Sequence, residues 1–454
     1  MAEAARHDKT ARQLRLLSEA LDTGRLGPVR RLVNSLSPAE IGNLLESLPP
    51  TQRNVVWGLV DPEDDGEVLV HVGDEVREGL IADMDPDELV AAVEDLDIDD
   101  LADLVEDLPD TVIDEVLKSM DRENRERLEQ VLSYPEDSAG RLMNPDAITV
   151  RGDVTVDVVL RYLRLRGELP EHTDHLFVVS RRHQYLGRVA LTALLTHDSG
   201  TPINELLDDE QPAIPVHTPA GEVANQFSDH DWVSAPVVDA NNVLLGRITI
   251  DDIVDIIREQ AEHQAMGAAG LDEEVDLFAP IARSARSRAI WLGINLLTAF
   301  LASWVIGNFQ PVLEKVVATA VLMSVVPSMG GIAGTQTLTI MVRALALGQV
   351  SMANLMPLLR KEVAVGLVNG VLWALAVGLV SLGVYRDLLL SIAFGAAMVI
   401  NLCMAALAGV FIPLIQKRMG IDPALAGGTI LTTVTDCCGY ASFLGLASLL
   451  LLRH

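Results

Sequence analysis

Apolar positions recur every twelve residues in the first quarter of the chain, at Leu36, Leu48, Val60, Val72, Met84, Leu96, Leu108, Met120 and Leu132. Each precedes a turn or capping pair such as Ser37-Pro38, Asp61-Pro62, Asp85-Pro86 or Asp97-Ile98, residue types that start helices. Within a unit the apolar residues take helical spacing, as in Leu89, Val90, Val93 and Leu96, then Leu101, Leu104, Val105 and Leu108. So short a unit buries its stripe only by stacking on its neighbours, which predicts an all-α superhelical domain over residues 11–133.

From Tyr134 the pattern changes to short strands between amphipathic helices. Phe177-Val178-Val179 with Tyr185-Leu186-Gly187-Arg188-Val189 is echoed by Ala235-Pro236-Val237-Val238 with Leu244-Leu245-Gly246-Arg247-Ile248-Thr249. A tandem α/β pair is expected over 134–257, then a connecting helix and linker over 258–282, including Gly267-Ala268-Ala269-Gly270. Beyond it lie five apolar runs, about 289–309, 316–342, 362–384, 388–415 and 424–452. Each reaches the roughly 20 residues needed to cross a bilayer. The second contains Pro327-Ser328-Met329-Gly330-Gly331-Ile332-Ala333-Gly334-Thr335-Gln336, which reads as broken backbone lining a cavity or as a kink with tight packing on its glycines.

Charge sharpens this division. The chain of 454 residues carries a formal net charge of −30, yet only five of its 64 acids and eleven of its 34 bases follow residue 282, a split of −36 against +6. An acidic soluble half joined to a membrane half is implied. So negative a half argues against nucleic acid, whose phosphates need cationic surface, and for cations as partners. With the soluble half in the cytosol, eight Lys and Arg flank the inner ends of the runs and three the outer ends, which places the C-terminus outside a cell (inner) membrane. The first residues, MAEAARHDKTARQ, have no apolar core, so no signal peptide is expected. The three cysteines, Cys403, Cys437 and Cys438, lie in apolar runs and imply no disulfide framework. No phosphate-cradling glycine loop or grouped nucleophile and base appears, so no enzymatic activity is expected.

One residue breaks the last apolar run. Asp436 sits near its middle, and a carboxylate at bilayer depth marks an ion path or a partner. Gly428 and Thr432 share its helical face, with Thr429 and Thr433 beside them. This stripe reads as the wall of a cation pathway; a helix contact through small and hydroxylated residues is the structural alternative. Glu314, before the second run, is an attractor for entering cations or a solvated loop residue. In the soluble half, Asp95, Asp97, Asp99, Asp100, Asp103, Glu106 and Asp107 crowd one repeat face, and Asp251, Asp255, Glu259 and Glu262, with Asp252 beside them, follow along one helix. Like charges at that spacing repel, so these faces read as ion or partner sites, with an ordinary solvated face as the alternative.

The tandem α/β unit resembles a pair of CBS domains, in which a hydroxyl residue and an aspartate three positions later hold an adenosine ribose. Thr249 and Asp252 match that pattern, whereas Ala190 and Ala193 in the first unit do not. The resemblance therefore implies at most one nucleotide site, which would make ATP a regulator; a purely structural pair that transmits movement is the equal alternative.

The whole order resembles the MgtE family of magnesium channels. The likeness rests on Tyr134-Pro135-Glu136-Asp137-Ser138-Ala139-Gly140, Gly330-Gly331 through Gln336, Val342-Arg343-Ala344-Leu345-Ala346, Asp422-Pro423-Ala424 and Thr432-Thr433-Val434-Thr435-Asp436 with Gly439. It implies a homodimer conducting Mg²⁺ through a pore, with Asp436 as its central site and Gly428, Thr432, Gly330, Gly331, Gly334 and Gln336 along its wall. It also implies closure when cytosolic Mg²⁺ is high, for which the acidic faces of the soluble half offer Asp99, Asp103, Asp251, Asp252, Asp255, Glu259 and Glu262 as binding carboxylates. Three positions depart from the family: Ile332 where asparagine is usual, Cys438 where threonine is usual, and His263-Gln264 after Glu262, where a further acid is usual. Two alternatives remain at this point: a secondary transporter coupled to Na⁺ or H⁺, and a divalent cation transporter regulated by adenine nucleotide.

Overall fold

The computed structural model describes residues 26–94, 96–105, 107–267, 276–351 and 353–451, with the backbone alone at 110 and 424–426. Residues 11–25 of the predicted superhelix, Asp95 and Glu106 of its acidic face, 268–270 of the glycine passage and the last residue of the fifth apolar run lie outside them. The chain divides into two compact units, one holding the residues up to 260 together with 274–279, the other 261–273 and everything from 280 onward.

The first unit opens with α1 (Leu26–Val33), α2 (Pro38–Glu46), α3 (Pro50–Trp57), α4 (Asp65–Val70), α5 (Asp74–Asp83), α6 (Pro86–Val93), α7 (Ile98–Val105), α8 (Asp110–Ser119) and α9 (Arg122–Leu132). The twelve-residue beat thus sets nearly every helix start. At α2 the cap is reciprocal: Glu40 N–H donates to Ser37 Oγ at 3.3 Å and Ser37 N–H to Glu40 Oε2 at 3.2 Å. The exception is α4. The pattern places its start directly after Asp61-Pro62, but residues 62–64 form a turn first and Asp64 N–H closes on Asp61 O at 2.9 Å. The delay brings Gly66 against the carbonyl of Ala92, where a Cβ would lie 2.0 Å from the oxygen.

A second, 24-residue rhythm is invisible in the apolar pattern. Arg53 Nε donates to Leu45 O and Nη2 to Leu48 O, at 3.0 and 3.1 Å. Arg77 repeats this on Leu69 O and Val72 O, at 2.9 and 3.0 Å. Each guanidinium satisfies carbonyls left open where short helices end and then takes an acid: Asp107 for Arg77, at 2.9 Å, and Asp276 for Arg53. The latter pair is bidentate, both contacts at 2.9 Å, with both side chains buried. It fixes the 276–279 segment to the helical repeat.

After α10 (Ala139–Leu142) come β1 (Thr149–Arg151), α11 (Val156–Arg166), β2 (His175–Val179), β3 (Tyr185–Ala190) and α12 (Leu191–Thr196), then β4 (Ile214–Pro215), α13 (Ala220–His230), β5 (Ser234–Val238), β6 (Leu244–Thr249) and α14 (Ile250–Gly267). The strands form two three-stranded sheets of matching order, β1-β2-β3 and β4-β5-β6, parallel then antiparallel. The halves join where Tyr185 N–H donates to Asn242 O and Leu244 N–H to His183 O, at 2.9 and 3.0 Å. Phe177, Val179, Tyr185, Val238 and Leu244 fill that joint. The second half shares a continuous core with the helical repeat, a single buried cluster that includes Ile253 and Ile256 of α14 as well as Leu101 and Leu104 of α7.

The second unit contains α15 (Ile281–Gly307), α16 (Gln310–Lys315), α17 (Val317–Leu322), α18 (Val325–Ala346), α19 (Leu355–Tyr385), α20 (Leu388–Arg418) and α21 (Pro423–Leu451). Five stretches are long and apolar enough to cross a membrane, α17 and α18 counting together. α20 is enclosed on most of its length, whereas α15 and α19 expose large apolar side chains such as Leu297, Trp304, Leu375 and Val380, as helices in contact with lipid do. The expected break over 327–336 is not where the backbone breaks. That stretch is helical throughout, and the interruptions fall at Val316 and at 323–324. Pro327 lies in the first turn of α18, where a missing N–H removes no helical bond.

Removing the carboxylate of Asp276 leaves a buried guanidinium unpaired. Asp276→Ala is expected to lower the unfolding free energy of the helical repeat by about 3–5 kcal/mol, read as a lower urea midpoint by circular dichroism. Arg122→Ala, which loses only the exposed pair with Glu126, is expected to change it by less than about 1 kcal/mol.

Candidate functional site

In the membrane half, α21 presents two faces. Leu431, Thr435 and Gly439 are buried against neighbouring helices, while Gly428 and Asp436 are half-exposed and Thr432 is exposed. The predicted stripe is therefore left uncovered by its own chain. The hydroxyl protons along it are used locally: Thr432 Oγ1 donates to Gly428 O at 2.9 Å and Thr433 Oγ1 to Thr429 O at 2.8 Å. Each oxygen keeps its lone pairs for an outside donor or a cation's water shell. Among the described residues, nothing donates a hydrogen bond to Asp436 or pairs with it.

The residues of α18 separate. Gly330 and Gly334 are buried, the latter against Leu431, whose Cδ1 would lie 2.9 Å from an added Cβ. Gly331 is half-exposed beside Thr435, and Gln336 and Ile332 face outward. Tight packing is what the structure shows for Gly330 and Gly334, while Gly331 and Gln336 remain on the open side. Glu314 is exposed on α16. Cys403, Cys437 and Cys438 are free thiols.

Two buried polar residues of this half were not singled out from sequence. Glu362 on α19 accepts from Thr337 Oγ1 of α18 at 3.3 Å and from Lys361 Nζ at 2.9 Å. Asn401 of α20 donates from Nδ2 to Val326 O at 2.8 Å. A lone Asn and a Glu inside predicted spans were the available signals. Nε2 of His263, one of the departures from the family, makes a short contact with Oδ2 of Asp422 in the α20–α21 loop.

In the soluble half the tertiary fold brings two acidic faces together. Asp97, Asp99 and Asp100 at the start of α7 meet Asp251 and Asp252 at the start of α14. Burial raises the Asp99 carboxyl well above its ordinary value, and Asp252, Asp100 and Asp97 raise it further. Burial also pushes Asp100 up to about 7, with help from Asp97, Asp103 and Asp251. Asp252 is pushed up to about 7 by burial and then by Asp251. Further along α14, burial followed by the charges of Asp103, Asp255 and Asp74 raises Glu259; Asp74, on α5, was not anticipated.

Few groups offset this charge. Asn144 Nδ2 bridges Asp97 and Asp99 at 3.1 and 3.2 Å. Arg247 is buried, is held by Glu171 O at 2.6 Å, and lends its positive field to Asp99, Asp97 and Asp251. Asp251, Asp255 and Glu262 are exposed, and Asp103 lies 3.9 Å from Arg141. Among the described residues, no three His, Cys, Asp or Glu side chains already converge as a metal site. Such a surface suits a hard cation that keeps its waters and needs one or two carboxylates. Thr249 and Asp252, the candidate ribose pair, engage each other: Thr249 N–H and Oγ1 reach Asp252 Oδ2 at 3.3 and 3.2 Å, and Oγ1 also donates to Asp251.

Comparison with known proteins agrees with this architecture. A family model described as the MgtE intracellular N domain matches residues 36–137, one for a CBS domain matches 203–259, and one for a divalent cation transporter matches 323–446. A magnesium transporter MgtE from Thermus thermophilus is 32% identical over 454 aligned positions, covering 96% of this chain and 98% of the relative. One from Enterococcus faecalis is 29% identical, covering 96% and 97%. Among solved structures, the cytosolic domain of the Mg²⁺ channel MgtE in complex with ATP is 30% identical, spans 53% of this chain and 98% of its own, and superposes with a TM-score of 0.48. With so long an alignment carrying the acidic repeat, the CBS region and the five-span membrane half together, the chain belongs to the MgtE family of magnesium transporters.

Proposed function

We propose that this chain is a Mg²⁺ channel of the cell membrane, gated by cytosolic Mg²⁺ bound between its acidic faces. The observation that carries the gating is the burial of Asp99, Asp100 and Asp252 against one another with Arg247 as a neighbouring cation. Among the described residues, five carboxylates at the starts of α7 and α14 face Arg247 and the imidazole of His172, which reaches Asp251 at 3.3 Å; the carboxylates repel unless cations offset them. Mg²⁺ would bridge the two helix starts and hold them together. Its loss lets them part, and α14 passes that movement along the chain toward the membrane half.

The pathway is assigned to the uncovered stripe of Gly428, Thr432 and Asp436. One aspartate cannot surround a hydrated Mg²⁺, so a homodimer is proposed, with a twofold axis bringing two copies of Asp436 to the ion. The soluble half lies in the cytoplasm and the C-terminus outside, by the distribution of positive charge. The mutual engagement of Thr249 and Asp252 favours a cation over a ribose at Asp252, since a nucleotide would have to displace those bonds.

Passive transport through Asp436 is tested in proteoliposomes with a Mg²⁺ gradient alone. Native protein should conduct, and Asp436→Ala should lose at least about tenfold of the flux, the scale of one displaced charge contact. Flux appearing only after a Na⁺ or H⁺ gradient is added would point to a coupled transporter. For gating, neutralising Asp99, Asp103, Asp252 and Asp255 to Asn should abolish protection of the soluble half from protease by Mg²⁺; unchanged protection would sink the bridging mechanism.

The raised carboxyls also set a pH dependence. A carboxyl whose folded pKa is about 7 rather than about 4 keeps its proton in the fold where the unfolded chain has released it. Stability therefore falls as pH rises from about 4 to about 7 and then levels. Without divalent cations the soluble half should melt lower at pH 8 than at pH 5.5, and saturating Mg²⁺ should shrink that difference. A melting temperature independent of pH without Mg²⁺ would mean the carboxylates are not strained.

A further inference from the structure

We propose that Asn401 is a positioning residue of the cation pathway, holding α18, α20 and α21 in the register that sets the depth of Asp436. This inference rests on the reading of Asp436 as the pathway carboxylate.

Asn401 lies in the middle of α20 and is fully buried. Its Nδ2 donates to Val326 O, in the first turn of α18, at 2.8 Å. The approach is possible only because the facing positions are glycine. A Cβ on Gly330 would stand 2.1 Å from Asn401 Nδ2, and one on Gly439 would stand 3.0 Å from the same atom and 3.0 Å from Pro327 Cα. One carboxamide therefore fills the crossing of three helices, and two glycines belonging to two of those helices are cut to fit it.

The amide is not there for packing alone. Its Oδ1 is buried and has no partner among the described residues, a cost that an apolar residue of similar volume would avoid. Buried polar groups retained at such a cost best serve to fix register. Here the register reaches the pathway directly. Gly439 is three residues from Asp436 on α21, about 4.5 Å along the axis, and Thr435, on the same buried face, is 3.9 Å from where a Gly331 Cβ would be. A slip of α21 against α18 moves the Asp436 carboxylate by the same amount. Hydrated Mg²⁺ presents a rigid octahedral shell of waters that the carboxylates must meet at a fixed depth, whereas Ca²⁺ exchanges its oxygens readily and accepts a flexible, variable set of them. Misplacement therefore penalises Mg²⁺ more than Ca²⁺.

The test uses the full chain in proteoliposomes, with Mg²⁺ and Ca²⁺ flux measured separately and melting of the purified protein recorded beside them. Asn401→Leu keeps the branched shape and the number of heavy atoms and removes the donor. It is expected to melt at or above the native temperature while Mg²⁺ flux falls at least about fivefold, the scale of one net hydrogen bond, and the Mg²⁺ to Ca²⁺ flux ratio falls with it. The paired variant Gly330→Ala with Asn401→Ala relieves the clash that Gly330→Ala creates alone. It is expected to recover the melting temperature lost by Gly330→Ala without recovering the flux ratio. A native flux ratio in Asn401→Leu, or full recovery of the ratio in the paired variant, would overturn the proposal and leave packing as the whole role of Asn401. Asp436→Ala, run in parallel, separates the two readings. If it conducts like the native protein the pathway assignment fails, and a changed ratio in Asn401→Leu then acts elsewhere than through Asp436.

Discussion

Repulsion between carboxylates that the fold buries together is the constraint on which the soluble half depends. In water such charges interact weakly and salt screens them beyond about 8 Å; in the contact between α7 and α14 they are close and partly desolvated. Burial is the largest cause of the raised Asp99, Asp100 and Asp252 carboxyls. The surrounding apolar core, in which Ile253 and Ile256 share a cluster with Leu101 and Leu104, supplies the opposing attraction. Under the proposed gating, a contact balanced in this way is one that a divalent cation would tip, because a small change in local charge decides whether it holds.

The helical repeat that carries this surface is stiffened by its arginines. Arg53 and Arg77 close the carbonyl ends of the helices preceding their own and take Asp276 and Asp107 as partners. Short helices have few internal hydrogen bonds relative to their open ends, so a buried guanidinium that satisfies two carbonyls and an acid replaces what length would otherwise provide. The clasp on Asp276 ties a segment only a few residues before α15 to the repeat.

The membrane half solves a different problem. Helices in lipid gain little from hydrophobic contact with one another, so they associate through small residues, close packing and a few polar contacts. Gly330, Gly334 and Gly439 provide the close approach, and Asn401 and Glu362 provide the polar contacts. The stripe of Gly428, Thr432 and Asp436 is left over from this packing, and for that reason it can meet an ion or a second subunit.

What the sequence determined by itself was whatever depends on residues close along the chain. The helix starts at Ser37, Asp85 and Asp97, the paired strands around Gly187 and Gly246, the five apolar runs and the isolation of Asp436 within the last of them are all set by local pattern and by the cost of burying a charge. What only tertiary structure decided depends on residues far apart in sequence. Pro327 proved to open a helix rather than break one, because its place in a first turn follows from how α17 ends. Gly330 turned inward because Asn401 faces it from 71 residues away. The meeting of Asp99 with Asp252, and of Arg53 with Asp276, has no local signature, since the charges repel or attract only after the apolar faces between them have chosen their partners.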